Sequence, residues 1–100
     1  MDKNFGGVIW TNHSLQRMRD RGIKQGDAWA TFNRPDLSKY ARTKKAYIYY
    51  KTWGDTKIEV VAKQNEEKKW VILSVWSSKV DLGKITDNSL LGGLMRKLLS

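Results

Sequence analysis

The chain carries a single histidine, and two arginines follow it at helical spacing. A helix through His13, Arg17 and Arg21 puts all three on one face over two turns, with Gln16 and Asp20 beside them. That stripe offers one imidazole, a side chain suited to proton transfer, backed by two fixed cations. RNA backbone cleavage without a metal needs such a set. A base takes the proton from the ribose 2′-hydroxyl, an acid protonates the departing 5′-oxygen, and cations stabilise the charge that grows on phosphorus. His13 is a candidate for either the base or the acid, and Arg17 and Arg21 for a bidentate grip on phosphate. The same stripe also fits a plain solvated helix face.

With one histidine, the partner in acid–base work must be Lys, Tyr, Glu or Asp. Candidates on the expected strands are Tyr47, Tyr49, Lys51, Glu59 and Ser74. Tyr49 and Lys51 are two apart and share a strand face. Trp53 and Trp76 are candidates for stacking unpaired bases, worth ~1–3 kcal/mol per base. Trp29, Trp70, Ile48, Ile58, Val60 and Ile72 are expected in the core. The acidic residues lack the clustering a metal site requires, and Gly6-Gly7 is not followed by the lysine of a phosphate loop. No metal or other cofactor is expected.

The elements that position these residues follow from caps and periodicity. Thr11-Asn12 supplies N-cap residue types, and the helix runs to Arg21, where Gly22 suits a left-handed stop. Leu15 and Met18, three apart, form its inward stripe. A second short helix covers Gln25 to Phe32, with Ala28, Trp29 and Phe32 inward. Asn33-Arg34-Pro35-Asp36 ends it, because proline disfavours helix in the residue before it. The period then changes to that of strands: Ala46 to Trp53, a turn at Gly54-Asp55, Lys57 to Lys63, a polar connection at 64–69, and the apolar Trp70 to Ser77. A further strand near Lys39 to Arg42 is expected at most. The fold class is therefore α+β: two N-terminal helices (about 12–32) on an antiparallel meander of three to four strands (about 39–78). Leu91, Leu94, Met95 and Leu98 predict a short C-terminal helix over about 88–99. The whole, 1–100, reads as one domain.

Nineteen Lys plus Arg against ten Asp plus Glu give a formal charge of +9, which favours polyanionic partners. There is no cysteine, so neither a disulfide framework nor a thiolate metal site is available. No run approaches the ~18 apolar residues of a membrane span, and Met1 to Gly7 lacks the pattern of a secretory signal. A cytoplasmic protein is the expectation.

The segment His13-Ser14-Leu15-Gln16-Arg17-Met18-Arg19-Asp20-Arg21-Gly22-Ile23 fits the pattern H-x-x-x-R-M-x-x-R-G-I. Together with the late strand Val71-Ile72-Leu73-Ser74-Val75-Trp76, it resembles the family of small bacterial and phage proteins known as domain of unknown function 4258. The resemblance spans about residues 9 to 78. By its fold that family is placed near the barnase, EndoU, colicin and RelE group of metal-independent ribonuclease toxins. The resemblance implies a site between helix and sheet at His13, Arg17, Arg21 and Ser74; the strand reading adds Tyr49, Lys51 and Trp76 as further candidates. It also implies RNA as substrate and an acidic antitoxin or immunity protein as a partner. Two other readings fit the same residues: a basic module that binds RNA or DNA without cutting it, and a protein-interaction domain whose charge is incidental.

Overall fold

The computed structural model of the protein describes residues 1–80. A 3-10 turn at Phe5–Gly7 leads into strand β1 (Ile9–Trp10) and helix α1 (Asn12–Arg21). Thr11 caps that helix: its side-chain oxygen accepts from the Ser14 N–H at 3.1 Å. Gly22, at φ 66°, stops it. The Gly22 N–H then bonds the Arg19 carbonyl at 3.3 Å, and the Ile23 N–H bonds that of Met18 at 2.9 Å. This is the Schellman arrangement, and the apolar pair it brings together, Met18 and Ile23, is buried in the core. Helix α2 (Gln25–Asn33) buries Ala28 and Thr31 and ends before Arg34-Pro35.

The sheet differs from the expected three- to four-stranded antiparallel meander. It is mixed and has five strands, in the order β1-β5-β4-β3-β2, with β2 at Leu37–Ala41, β3 at Ala46–Trp53, β4 at Thr56–Gln64 and β5 at Trp70–Lys79. The extra strand, β1, is only two residues long, too short to show a period of two. It pairs parallel with β5 through Ile9↔Val71 and Trp10↔Ile72, a contact far apart in sequence. The other strands form the expected antiparallel succession. The C-terminal helix expected at about 88–99 lies outside the described residues.

Helices and sheet enclose one main core. Leu15 and Met18 from α1, Ile23, and Ala28 from α2 pack on Ile58, Val60, Ala62, Ile72 and Val75 of the sheet. Trp10, 1% exposed, joins them and donates its indole N–H to the Phe5 carbonyl at 2.8 Å. Its fit depends on the turn before it. Gly6 has φ 70°, and a Cβ there would also collide with the edge of the Trp29 indole at Nε1 and Cδ1. Phe32, Tyr49 and Trp70 extend this helix-covered face as a cluster of edge-to-face rings. A smaller cluster of Ala46, Ile48, Val61 and Leu73 lies on the opposite, outer face.

One irregularity decides which residues of β5 face outward. The register runs Val61↔Ser74 and then Ala62↔Ile72, so Leu73 is an extra residue in β5. A regular strand would put Ile72, Ser74 and Trp76 together on one face. With the bulge, Ile72 and Val75 are both fully buried in the core, while Leu73, Ser74 and Trp76 face outward. Val75→Ala should therefore cost about 2 kcal/mol in unfolding free energy, from lost burial and the cavity left behind. Trp76→Ala should cost less, although it removes far more atoms. Denaturant midpoints of the two variants check this ordering.

Candidate functional site

The N-terminus of α1 is fastened to the bulge. The Thr11 hydroxyl donates toward the carbonyls of Ile72 and Leu73 at 3.0 and 3.2 Å, and the Thr11 N–H donates to Ile72 at 3.2 Å. One residue thus caps the helix that carries His13 and engages the backbone that turns Ser74 outward. Thr11→Val keeps the shape but removes both the acceptor and the donor. We expect a loss of about 1–2 kcal/mol in stability, read from urea denaturation.

With β1 ended at Trp10, α1 packs against the remainder of β5. Its His13–Arg17–Arg21 stripe lies beside the outward residues of that strand. His13 and Arg17 line a depression of about 480 Å³ together with Ser74, Trp76, Leu73, Glu59, Val61 and Lys44. The Arg17 Nε donates to His13 Nε2 at 3.4 Å. Arg21 stacks on the Trp76 ring with its guanidinium carbon 3.3 Å from the centroid, and that of Arg17 is 5.2 Å away. Two like charges one helical turn apart repel each other, and the electron-rich face of Trp76 offsets that repulsion. Asp20 is engaged elsewhere, accepting from Gln16 at 2.7 Å. Among the described residues neither arginine forms an ion pair; the pairs present are Lys51–Asp36 and Lys79–Asp55.

Register places Glu59 directly across from Trp76 on the neighbouring strand. The depression therefore holds one carboxylate, one imidazole, one hydroxyl and cations from two directions: Arg17 from α1 and Lys44 from the turn between β2 and β3. Such a set can accept a proton, give one back, and hold a phosphate between them. Among the described residues no group of three or more acids and histidines could hold a metal ion.

Of the residues singled out from sequence, His13, Arg17, Glu59, Ser74 and Trp76 come together here. Arg21 sits over Trp76 and borders a second depression, of about 590 Å³, that runs toward Trp53 and Lys79. Tyr49 and Lys51 do share a face, but it is the helix-covered one. Tyr49 packs in edge-to-face contact with Phe32 and Trp70, and burial, with Tyr47 nearby, pushes its hydroxyl above the usual tyrosine range. Lys51 donates to the Arg34 carbonyl at 3.0 Å, beyond the end of α2, and pairs with Asp36 at 3.5 Å. Asp36 also accepts from the Thr52 N–H at 3.0 Å, and this bond chiefly holds its carboxyl below the usual range. Lys51 is thus committed to joining α2, β2 and β3. Lys44 escaped sequence reasoning, since a lysine in a polar turn carries no signal of what the turn folds over.

No helix among the described residues is long and apolar enough to cross a membrane. No curated protein and no solved structure matches the chain. The family model described as a domain of unknown function, DUF4258, matches residues 10–77, from the end of β1 through most of β5, and so spans the residues that line the depression. The chain belongs to the DUF4258 family.

Proposed function

We propose that the protein is a metal-independent endoribonuclease whose reacting phosphate binds in the depression between α1 and β5. The observation that carries this reading is the meeting of His13 and Arg17 with Glu59, Ser74 and Trp76 around one depression. In the proposed reaction the Glu59 carboxylate takes the proton of the ribose 2′-hydroxyl. The 2′-oxygen attacks phosphorus, and the bond to the 5′-oxygen breaks. The His13 imidazolium gives that oxygen its proton. The products are a 2′,3′-cyclic phosphate and a 5′-hydroxyl, so atoms and charge balance without a co-reactant. Arg17 leaves His13 Nε2 to hold the phosphate, Arg21 and Lys44 add to the positive field, and Ser74 donates to a phosphate oxygen. Trp76 keeps the two guanidiniums in place. Such an activity belongs in the cytoplasm, as that of a toxin restrained by an acidic partner covering the basic site.

The test is digestion of total RNA by the purified protein in the presence of a chelator, beside its His13→Ala variant. Discrete fragments from the native protein alone support the enzyme. Equal binding without cutting by both proteins favours a non-catalytic RNA-binding module, a reading consistent with the occupation of Trp76 by arginine.

A further inference from the structure

The outer face of the sheet continues past the depression at His13. Register sets Tyr50, Glu59 and Trp76 side by side on β3, β4 and β5. Two strand spacings, roughly 10 Å, separate the Tyr50 and Trp76 backbones. Around Tyr50 lies a third depression, of about 350 Å³ and on this outer face, formed with Asp36, Leu37, Lys39, Thr52 and Lys57. Two lysine ammonium groups approach the Tyr50 ring, Lys57 at 5.0 Å and Lys39 at 5.9 Å from the centroid. Among the described residues neither lysine pairs with an acid, and Asp36 on the rim is already held by Thr52 and Lys51. Leu37, 62% exposed, supplies an apolar wall.

We infer that this depression is a subsite for a nucleotide flanking the reacting phosphate, so that single-stranded RNA crosses the outer sheet face from α1 toward β2. An apolar wall and an aromatic ring suit an unpaired base, and Lys39 and Lys57 suit the phosphates beside it. A duplex presents its bases paired and stacked, so the occupant is a single strand. The inference rests on the proposal that RNA occupies the depression at His13, but its test reads binding and not cleavage.

The probe is a 2′-O-methyl RNA octanucleotide, which cannot undergo attack by its own 2′-oxygen, with the dinucleotide of the same chemistry for comparison. Lys39→Ala/Lys57→Ala is measured against Lys3→Ala/Lys24→Ala, which removes the same charge from the N-terminal segment and the start of α2. Circular dichroism checks that each variant is folded. The expected result is about tenfold weaker octanucleotide binding for Lys39→Ala/Lys57→Ala alone, little change for the dinucleotide, and a log–log salt slope shallower by roughly 1.4, from two phosphates at ~0.7 each. Equal losses in both lysine pairs, equal losses for both probes, or no octanucleotide binding by the native protein would each overturn the subsite. If the native protein cuts no RNA while the selective loss is seen, the subsite stands and the ribonuclease reading falls. If it cuts RNA while the lysine pairs behave alike, the reverse holds.

Discussion

His13→Ala and Glu59→Gln are each expected to lower kcat/KM for RNA cleavage by about 10²–10⁴-fold, the usual range for losing one positioned proton-transfer group. His13 is exposed and Glu59 half-buried, and neither belongs to the core of Leu15, Met18, Val60 and Val75, so both variants should keep close to native stability. Their pH profiles separate the two roles. If Glu59 is the base and His13 the acid, the native enzyme has a bell-shaped kcat/KM profile. Glu59→Gln then loses the acidic limb and His13→Ala the alkaline one. The double variant should be little slower than either single one, because the proposed roles of the two groups fall in one step. Matching losses in stability and activity would mean that the residues merely support the fold.

The second large effect is expected at Arg17. Arg17→Ala should cost about 10²–10³-fold in kcat/KM, as for removal of one donor to a developing oxyanion. Arg17→Lys should recover only part of it, since an ammonium restores the charge but not the planar fork or the stacking on Trp76. Arg21→Ala should be milder, because Arg21 is engaged over the indole with its guanidinium carbon 3.3 Å from the centroid. Trp76→Ala should lower kcat/KM through disorder of both arginines, by less than Arg17→Ala. An Arg17→Ala enzyme as fast as the native one would remove phosphate binding from the role of the helix stripe. Steady-state kinetics on a short RNA would decide it.

Much of α1 was legible because its signals are local. Thr11 can cap only a helix that starts there, Gly22 can take a positive φ, and Leu15 with Met18 mark the buried side whatever lies beneath. That the opposite stripe carries His13, Arg17 and Arg21 follows from the same period. What lies against that stripe was not legible. Alternation through β5 predicts Ile72, Ser74 and Trp76 on a common face, and only the bulge at Leu73 separates them. The contacts at the bulge come from Thr11, more than sixty residues earlier in the chain, and no local pattern announces such a pairing. β1 went unread for the same reason: two residues acquire meaning only beside Val71 and Ile72. Tyr49 and Lys51 illustrate the converse case. Their shared face was readable, but which side of the sheet the helices cover is a tertiary matter. Glu59 was one candidate among several, and its register opposite Trp76 is what sets it apart.

The proposed reaction breaks one bond, from phosphorus to the 5′-oxygen, and the ends of the products reveal it. A defined RNA oligonucleotide and its counterpart with a 2′-deoxy sugar at the preferred cleavage position are incubated with the protein and a chelator, and the products are weighed by mass spectrometry. The mechanism predicts a 2′,3′-cyclic phosphate and a 5′-hydroxyl from the RNA, and no cleavage at the deoxy position. An intact RNA would contradict it, as would products ending in a 3′-hydroxyl and a 5′-phosphate.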